Sequence, residues 1–479
     1  MTEANKKPLD AVLVKASIEM LEAIAADRAL IAPLDPDTRR ALLIAAGLVS
    51  RPERVDQVRL AKALRRANRQ EQKAHDAAVI ATTALRSGRR NSLPALPEPS
   101  APKRKLIEPR DCYICKAAFD EVHFFYDSMC PPCAALNFKK RSQTAPLEGR
   151  VALVTGARIK IGLHVSLMLL RAGARVIATT RFPHDAARRF AGEPDFETWR
   201  HRLQVHGLDL RHLPSVEKFA QQVSETETHL DILINNAAQT VRRPADFYEH
   251  LRAIETTATS QLPAPLQSLL GAHAAWTHTL ADPAKPDELA LWRQVSAQDA
   301  HFPLGAVDSD GQQIDLRPMN SWRLTLADVP TPELVEVHLV NAIAPFILCR
   351  GLKPALLRSP RSDRHIVNVS AMEAQFARNT KTDKHPHTNM AKAALNMLTR
   401  TSAADYAQNG IFMNSVDTGW ITDEDPMHHV ARKQRVHNFE PPLDAVDGAA
   451  RILDPVFSGI NSGEHAFGNF YKDYRPVGW

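Results

Sequence analysis

Clustered cysteines offer the most specific chemistry in this sequence. Four of its five cysteines form two CxxC pairs separated by 14 residues. Each pair can place two thiolates on one tight turn, and four thiolates satisfy a tetrahedral Zn²⁺ without leaving an open position. His123 is an alternative ligand, but it lies among aromatic residues and we expect it to pack against them. The spacing therefore predicts a structural zinc site with four ligands: Cys112, Cys115, Cys130 and Cys133.

A glycine-containing turn is the second feature with chemical meaning. The apolar run that ends at Thr155 leads into a turn bounded by Gly156 and Gly162, and an apolar helical pattern follows over residues 163–172. A strand, a glycine turn and a helix N-terminus are the elements that hold a pyrophosphate. A lone glycine turn is weak evidence for such a site, so the motifs that follow it in the sequence matter.

Further motifs follow in a fixed order along the chain. They are Thr155-Gly-Ala-Arg-Ile-Lys-Ile-Gly162, Leu208-Asp209-Leu210, Asn235-Asn-Ala-Ala238, Asn341, Asn368-Val-Ser370 with Lys392, and the segment Asn414-Ser-Val-Asp-Thr-Gly-Trp-Ile-Thr422. Together they resemble the short-chain dehydrogenase/reductase family over residues 147–479, about two-thirds of the chain. The resemblance implies a Rossmann fold, with the last segment closing over the nicotinamide of a bound cofactor.

The resemblance implies a nicotinamide dinucleotide and names its binding residues. The second strand ends without the acidic residue that would hold the ribose hydroxyls of NAD, whereas Thr180 and Arg181 suit a 2′-phosphate, with Arg158 as a second cation. We therefore expect NADP(H), with NAD as the less favoured cofactor. The implied cofactor residues are Gly156, Arg158, Lys160, Ile161, Gly162, Thr180, Arg181, Asp209, Leu210, Asn235, Asn236, Ala237, Lys392, Gly419 and Ile421.

Lys160 departs from the family pattern within the glycine turn. It stands where the family usually has its middle glycine. A side chain there either obstructs the close approach of the backbone to the pyrophosphate or turns its ammonium group toward a phosphate.

The resemblance also implies a catalytic group in which one member is replaced. Ser370, Lys392 and Asn341 match the family's serine, lysine and asparagine, but Thr388 stands four residues before the lysine, where the family has tyrosine. An alcohol is a far weaker acid than a phenol with a pKa near 10, so Thr388 can donate a hydrogen bond but is a poor proton shuttle.

Two histidines in the segment before Lys392 are candidates for the missing acid. His385 and His387 titrate closest to physiological pH among side-chain types, and we favour His387 because it adjoins Thr388. The alternative is that both histidines only pack or cap a loop.

The sequence divides into four regions that carry these residues. We expect an α/β protein with a doubly wound parallel sheet, preceded by a helical region and a small zinc module. The expected boundaries are a basic helical region at 1–90, a proline-rich linker at 91–108, the zinc module at 109–146 and the Rossmann domain at 147–479. That domain carries a large insertion at about 240–333, which we expect to form a substrate lid or an oligomer contact.

Charge is concentrated in the first third of the chain. Residues 1–150 contain 26 basic and 18 acidic side chains, a net charge of +8, whereas the remainder contains 34 basic and 36 acidic side chains, a net charge of −2. We expect a solvated face on a helical hairpin; the alternative is a surface for nucleic acid or an acidic partner. No aromatic residues lie among the charges, so base stacking has no platform. The basic residues of this face are Arg59, Lys62, Arg65, Arg66, Arg69 and Lys73.

Composition points to a cytoplasmic protein without a membrane segment. The most continuous apolar stretch, residues 42–49, is too short to span a bilayer, and no apolar signal region follows the first residues. We predict a homo-oligomeric, NADP(H)-dependent oxidoreductase that transfers hydride to or from a small carbonyl or alcohol substrate. The alternative is a catalytically impaired nucleotide-binding sensor or scaffold whose zinc and helical modules contact other proteins.

Overall fold

The computed structural model describes residues 10–90, 104–280, 301–303, 305–308, 310–377 and 381–479. The chain divides into two compact units, Met1–His75 and Asp76–Trp479. The strands are β1 Arg104–Asp111, β2 Ala118–Val122, β3 Val151–Thr155, β4 Arg175–Thr180, β5 Leu203–Gly207, β6 Ile232–Asn235, β7 Arg364–Ser370, β8 Ile411–Asp417, β9 Phe470–Lys472 and β10 Arg475–Val477. The helices are α1 Ala11–Ala26, α2 Pro36–Ser50, α3 Arg54–Ala81, α4 Ala84–Arg90, α5 Pro131–Arg141, α6 Lys160–Arg171, α7 Pro183–Ala191, α8 Phe196–Trp199, α9 Leu213–Thr226, α10 Glu249–Glu255, α11 Ala264–Leu280, α12 Thr331–His338, α13 Ala344–Leu357, α14 Pro386–Ala407, α15 Met427–His437 and α16 Ala445–Ser462.

The smaller unit is helical, as the sequence predicts. Asp10 caps α1 by accepting the Val12 N–H at 2.8 Å, and Asp35 caps α2 by accepting the Thr38 N–H at 3.0 Å. Neither helix contains a buried residue, and the six basic side chains of α3 are exposed. The α1 and α2 helices are therefore held by their own backbone and caps, with apolar side chains such as Leu48 left on the surface.

The larger unit begins with a small module around the four cysteines. The β1 and β2 strands pair antiparallel, and α5 follows the second cysteine pair. The β1 strand begins at Arg104 and so occupies the last residues of the expected linker, whose positions 91–103 lie outside the described residues. The end of α3 and α4 also pack here, since Ile80 is buried with Leu106 and Arg86 pairs with Asp127 at 2.6 Å.

An eight-stranded sheet forms the centre of the larger unit and confirms the expected fold class. Its strand order is β10-β9-β8-β7-β6-β3-β4-β5, and every neighbouring pair is parallel except β9 with β10. The order reverses between β3 and β6, where Leu153 is the register partner of Leu233. The carboxyl ends of these two strands define the crevice in which doubly wound sheets bind ligands.

Helical layers cover both faces of this sheet. Val154 of β3 packs into the core beneath α6, α7, α11 and α16. Its neighbour Leu153 packs into the opposite core beneath α9, α13 and the C-terminal half of α14. Alternate residues of a strand point to opposite faces, so a strand that is apolar throughout, such as β3, is buried in both layers.

Each edge of the sheet carries a different terminating feature. At one edge, His273 of α11 accepts the backbone N–H of Gly207 in β5 at 3.1 Å through Nδ1. At the other edge, Pro476 is the central residue of the three-residue strand β10. The α11 helix comes from the insertion, so the first part of that segment belongs to the sheet's covering layer.

One continuous helical segment among the described residues, Thr331–Leu357, is long and apolar enough to cross a membrane by length and composition alone. Half of its most apolar stretch is buried. Leu348, Leu352 and Leu356 of this segment pack beneath the sheet in the layer that contains α9.

Candidate active site

The glycine turn after β3 lies directly against the turn after β6. Gly156 has a φ of +69°, and a Cβ there would lie 2.9 Å from Ala237 Cα. A Cβ on Gly162 would lie 2.1 Å from the Gly156 carbonyl oxygen and 2.5 Å from Asn236 Nδ2. Asn236 Nδ2 donates to the Thr155 carbonyl oxygen at 2.9 Å. The two turns therefore meet where the strand order reverses. They approach so closely that only glycine fits at positions 156 and 162.

Lys160 begins α6 in a conformation that favours glycine. Its φ is +52°, which costs a side-chain-bearing residue about 1–2 kcal/mol. The backbone thus keeps a glycine-like path despite the substitution. Burial would raise the pKa of Glu424, but the nearby Lys160 charge and a hydrogen bond from Thr422 outweigh it and lower that pKa. The Lys160 ammonium group therefore favours the charged form of Glu424, which lies in the segment after β8.

Arg181 is exposed at the end of β4, where a 2′-phosphate is expected. Its guanidinium donates to Tyr248 Oη at 2.7 Å and lies 5.4 Å from the centre of the Phe182 ring. Thr180 Oγ1 accepts the Phe182 N–H at 3.2 Å, which shapes the turn. Tyr248 therefore holds a side chain that stays exposed to solvent.

Arg158, the expected second cation for this phosphate, forms an ion pair within the protein instead. It is 6% exposed, and its Nη1 donates to Asp185 Oδ2 at 2.8 Å. Asp185 is fully buried and also accepts from Arg189 at 2.7 Å. A buried carboxylate requires compensating cations, so the Arg158 charge neutralises Asp185 instead of standing free.

The side chains of two more residues expected to bind the cofactor form hydrogen bonds with other residues of the protein. Asp209 accepts from its neighbour Arg211 through both carboxylate oxygens, at 3.0 and 2.6 Å, beside buried Leu210. Asn235 Nδ2 donates to Asn368 Oδ1 at 2.8 Å, which links β6 to β7. The Asn235 side chain therefore positions the two strand ends.

The catalytic residues implied by the resemblance gather at the end of β7 and the start of α14. Lys392 Nζ donates to the Val369 carbonyl oxygen at 2.7 Å, next to Ser370. Thr388 precedes Lys392 by one helical turn, so both side chains share a face of α14. Burial lowers the pKa of Lys392 to about 8, although Glu373 opposes the shift. The ammonium form therefore dominates below about pH 8.

Two hydroxyl groups of this site have no partner within the described residues. Ser370 is 4% exposed and Thr388 is 5% exposed, and neither Oγ atom makes a hydrogen bond there. Buried polar groups are nearly always paired, because an unpaired one costs about 1–3 kcal/mol. Two unpaired hydroxyls beside a buried ammonium are therefore suited to receive a polar ligand.

Asn341 lies in a π-helical turn, Leu339–Ile343, between α12 and α13. Its Oδ1 accepts the Gln239 N–H at 2.7 Å, and its Nδ2 donates to the Gln239 carbonyl oxygen at 3.1 Å. This pair of bonds ties the helix to the chain that leaves β6. π-Turns of this kind are frequent at functional sites.

His387 faces a carboxylate that sequence reasoning missed. Its Nε2 lies 3.5 Å from Glu333 Oε1, a charge contact longer than an ordinary hydrogen bond. The exposed fractions are 1% for the His387 side chain and 7% for that of Glu333. Burial would raise the pKa of Glu333, but interactions with His387 and Ser321 outweigh it and lower that pKa. From the sequence alone, Glu333 is recognisable only as an acidic residue in the first turn of a helix.

His385 is held in a different way from His387. Its ring stacks on Trp322 of the insertion with ring centres 4.0 Å apart and an interplanar angle of 8°. Nδ1 lies 3.1 Å from Asn389 Oδ1, and the backbone N–H donates to the Leu324 carbonyl oxygen at 2.8 Å. These contacts fit the packing alternative for His385.

The insertion also touches the segment that follows β8. Asn320 Nδ2 donates to the Glu424 carbonyl oxygen at 2.8 Å, and Arg323 pairs with Asp425 at 3.2 Å. Within this segment Gly419 has a φ of +78°, and Ile421 packs in a core that also contacts Ile161 of α6. The second part of the insertion therefore closes against the crevice side of the sheet.

The four cysteines converge as their spacing predicts. All four Sγ atoms lie within 4.8 Å of one another, and Cys115 Sγ is 3.6 Å from Cys130 Sγ. Zn–S bonds of about 2.3 Å would place tetrahedral thiolates roughly 3.8 Å apart, so the cluster fits zinc. His123 is not part of this cluster. Its Nδ1 accepts the Phe125 N–H at 3.1 Å, and its ring packs on Phe124.

Sequence comparison identifies the fold family. Residues 150–264 match the family model described as short chain dehydrogenase, and residues 320–440 match the model described as Enoyl-(Acyl carrier protein) reductase. An uncharacterized protein, R665, of Acanthamoeba polyphaga mimivirus is 31% identical over 365 residues, which span 73% of this chain and 71% of the relative.

The chain belongs to the short-chain dehydrogenase/reductase family. Another similar member is the rhamnolipids biosynthesis 3-oxoacyl-[acyl-carrier-protein] reductase of Pseudomonas aeruginosa, 29% identical over 48% of this chain and 82% of the relative. The NADPH-bound carbonyl reductase from chicken fatty liver superposes with a TM-score of 0.42 and 19% identity, covering 70% of this chain and 100% of that one. Three further short-chain dehydrogenase/reductase relatives match over only 26–28% of their own lengths.

Proposed function

We propose that this protein is an NADP(H)-dependent oxidoreductase that transfers hydride to or from a carbonyl or alcohol substrate. The observation that carries the proposal is the pair of buried hydroxyls of Ser370 and Thr388 beside Lys392, which have no partner among the residues that the structure describes. Ser370 lies at the carboxyl end of β7 and Thr388 in the first turn of α14. Family membership supports oxidoreductase chemistry at such a site.

The residues around the crevice fit an NADP(H) molecule. Gly156 and Gly162 allow the turns after β3 and β6 to meet beside the N-terminus of α6, where a pyrophosphate would lie. Arg181 is exposed where the 2′-phosphate would lie, and Lys392 would order the nicotinamide ribose. When bound, the cofactor supplies or accepts the hydride, and the chain supplies binding, orientation and protons.

Side chains of the protein would polarise the substrate oxygen, stabilise its developing charge and transfer the proton. The Ser370 hydroxyl would donate a hydrogen bond to the substrate oxygen and polarise the carbonyl. The Lys392 ammonium favours the developing negative charge on that oxygen. His387, which faces Glu333, would supply the proton during reduction and accept it during oxidation, and Thr388 would relay it or hold the substrate.

A second function is favoured by one observation, the threonine at the position of the family's tyrosine. A chain without an effective proton donor would bind NADP(H) without turning it over, and would act as a sensor or scaffold. Exposed apolar residues on α1 and α2, such as Val12 and Val49, would then offer a surface for a protein partner. Turnover of carbonyl compounds by the purified full chain with NADPH separates the two functions.

Replacing Arg181 with alanine should weaken NADPH binding selectively. Loss of a charge-assisted phosphate contact is expected to cost about 1–3 kcal/mol for NADPH and almost nothing for NADH, which lacks the 2′-phosphate. Calorimetric titration of both nucleotides measures the difference. Arg350→Ala, which removes another exposed arginine on α13, is the matched control and should change neither affinity. Equal wild-type affinities that Arg181→Ala leaves unchanged would contradict the assignment.

We also propose a structural zinc ion bound by Cys112, Cys115, Cys130 and Cys133. Elemental analysis of the purified protein should find about one zinc per chain. The double variant Cys112→Ser with Cys130→Ser should lose the metal, whereas Cys349→Ala, a change at the buried cysteine of α13, should retain it. Zinc content that survives the double variant would refute these ligands.

The remaining expectations stay proposals. We propose that the protein is cytoplasmic, forms a homo-oligomer and acts on a small-molecule substrate. We also propose the domain boundaries that the sequence predicts, except that β1 and α4 belong to the zinc module. A protein partner would bind through the N-terminal region, whose basic face is exposed. Nucleic-acid and membrane binding are not proposed.

A further inference from the structure

The four-cysteine module contacts the dinucleotide crevice through one tyrosine. Tyr113 lies between the first two cysteines, and its hydroxyl accepts the Trp420 backbone N–H at 3.0 Å. Its hydroxyl oxygen would also lie 3.3 Å from a Cβ placed on Gly419. The two residues are neighbours in the segment 417–425 that follows β8, so the module reaches the backbone of that segment directly.

Backbone bonds within the module fix the position of Tyr113. Its N–H donates to the Ser128 carbonyl oxygen at 2.8 Å, and the Cys112 N–H donates to the Ala117 carbonyl oxygen at 2.9 Å. Lys116, with a φ of +63°, closes the turn by donating from Nζ to the Tyr113 carbonyl oxygen at 2.7 Å. The turn that presents the thiolates is therefore the turn that presents the phenol.

The opposite side of the module is joined to α16 and its N-cap by ion pairs and hydrogen bonds. Arg141 pairs with Asp444 at 2.7 Å and with Asp447 at 2.9 Å, and the Tyr126 hydroxyl donates to Asp447. These groups are largely buried, and Arg451 adds a bond to Asn137 at 2.6 Å. Buried, mutually satisfied charges of this kind define one arrangement of the parts they join.

Apolar contacts continue from the module into the walls of the crevice. Cys112, Phe125 and Met129 belong to one buried cluster with Ile421 and Leu443. Ile161, in the first turn of α6, packs against the same cluster. The core of the module is thus continuous with two segments to which the family resemblance assigns the cofactor.

We propose that the four-cysteine module, through Tyr113, positions the segment 417–425 over the dinucleotide crevice. Bound metal fixes the turn around Tyr113, and the phenol then holds the Trp420 N–H. Asp417 completes the arrangement from the strand side, because it accepts the Gly419 N–H at 2.8 Å and pairs with Lys472 at 3.0 Å. Tyr113 is a positioning residue: it acts on a cofactor only through this segment.

Hydrogen–deuterium exchange of the full chain without nucleotide tests the inference independently of any activity. In Tyr113→Phe, exchange of the peptide containing Trp420 should accelerate about 3- to 10-fold, in line with the loss of one hydrogen bond. Tyr406→Phe removes a phenol that donates to the Cys349 carbonyl oxygen at 3.1 Å, and it should leave this peptide unchanged. Wild-type exchange in Tyr113→Phe would overturn the role of Tyr113.

Metal removal and nucleotide binding complete the test. Chelation of the metal should accelerate exchange over 417–425 while β3 and β6 stay protected, and unchanged exchange over that segment would overturn the role of the module. The affinity for NADPH, which rests on the proposed function, should fall about 3- to 10-fold in Tyr113→Phe. If wild type does not bind NADPH, the proposed function fails, and the exchange results still decide the inference.

Discussion

Replacing His387 with alanine should lower kcat by about 10²- to 10⁴-fold while leaving the affinity for NADPH within about twofold. The residue is 1% exposed and faces Glu333 from the first turn of α14, one residue before Thr388. If the imidazole supplies the proton, its loss removes general acid–base catalysis and leaves the cofactor contacts untouched. Steady-state kinetics with NADPH and a panel of carbonyl compounds, together with calorimetry, measure the two effects.

Two companion variants separate this mechanism from its alternatives. Glu333→Gln keeps the shape of the side chain but removes its charge, and it should lower kcat about tenfold because the carboxylate that faces the His387 ring is lost. His385→Ala is the matched control, since His385 stacks on Trp322, and it should change kcat far less. Turnover that is indifferent to His387 and Thr388 would remove the proposed mechanism.

Restoring the family's phenol tests the sensor alternative. Thr388→Tyr places a tyrosine one turn before Lys392, whose ammonium would lower the phenol pKa. In a protein that only senses the nucleotide, this change should create carbonyl reduction. In a histidine-driven enzyme it should leave kcat unchanged or lower it by crowding the buried site. In every active variant, kcat/KM should fall as pH rises through about 8, where Lys392 loses its proton.

Gly162→Ala should have the second large effect, on both stability and nucleotide binding. A Cβ at this position would lie 2.1 Å from the Gly156 carbonyl oxygen, so the turn or α6 must shift. Overpacking of this kind costs about 1–3 kcal/mol of unfolding free energy. Displacing the turn should also weaken NADPH binding by about tenfold or more, equivalent to about 1.4 kcal/mol.

Gly271→Ala is the matched control for this prediction. Gly271 lies within α11, and a Cβ there would meet nothing within 4 Å. Alanine should therefore raise stability by about 0.5–1 kcal/mol, because glycine loses more backbone entropy in a helix. Thermal or denaturant unfolding and NADPH titration measure both variants. A Gly162→Ala protein with wild-type stability and affinity would show that the turn tolerates a side chain.

Features that depend on local pattern were accessible from the sequence. The four-cysteine cluster follows from the spacing within each CxxC pair, because two ligands on one turn need no long-range information. The parallel sheet follows from short apolar runs such as β3, which must be buried on both faces. The glycine turn follows from its place between that strand and a helix.

Single side-chain partners were not accessible in the same way. Arg158 is 27 residues from Asp185, and Tyr113 is 307 residues from the backbone it holds. Glu333 lies in a part of the chain where the sequence predicts an insertion, and nothing in its neighbourhood indicates His387. Such contacts depend on the paths of loops between elements, which hydrophobic periodicity does not encode.

The two edges of the central sheet determine whether it can grow by pairing with other molecules. An exposed strand edge is a template for intermolecular β-addition and aggregation. Here the Gly207 N–H is already taken by His273, and burial lowers the pKa of that imidazole to about 4, so its nitrogen stays an acceptor at neutral pH. Pro476 has no N–H to offer a further strand at the opposite edge. At each edge, one backbone position is therefore unable to donate a hydrogen bond to an added strand.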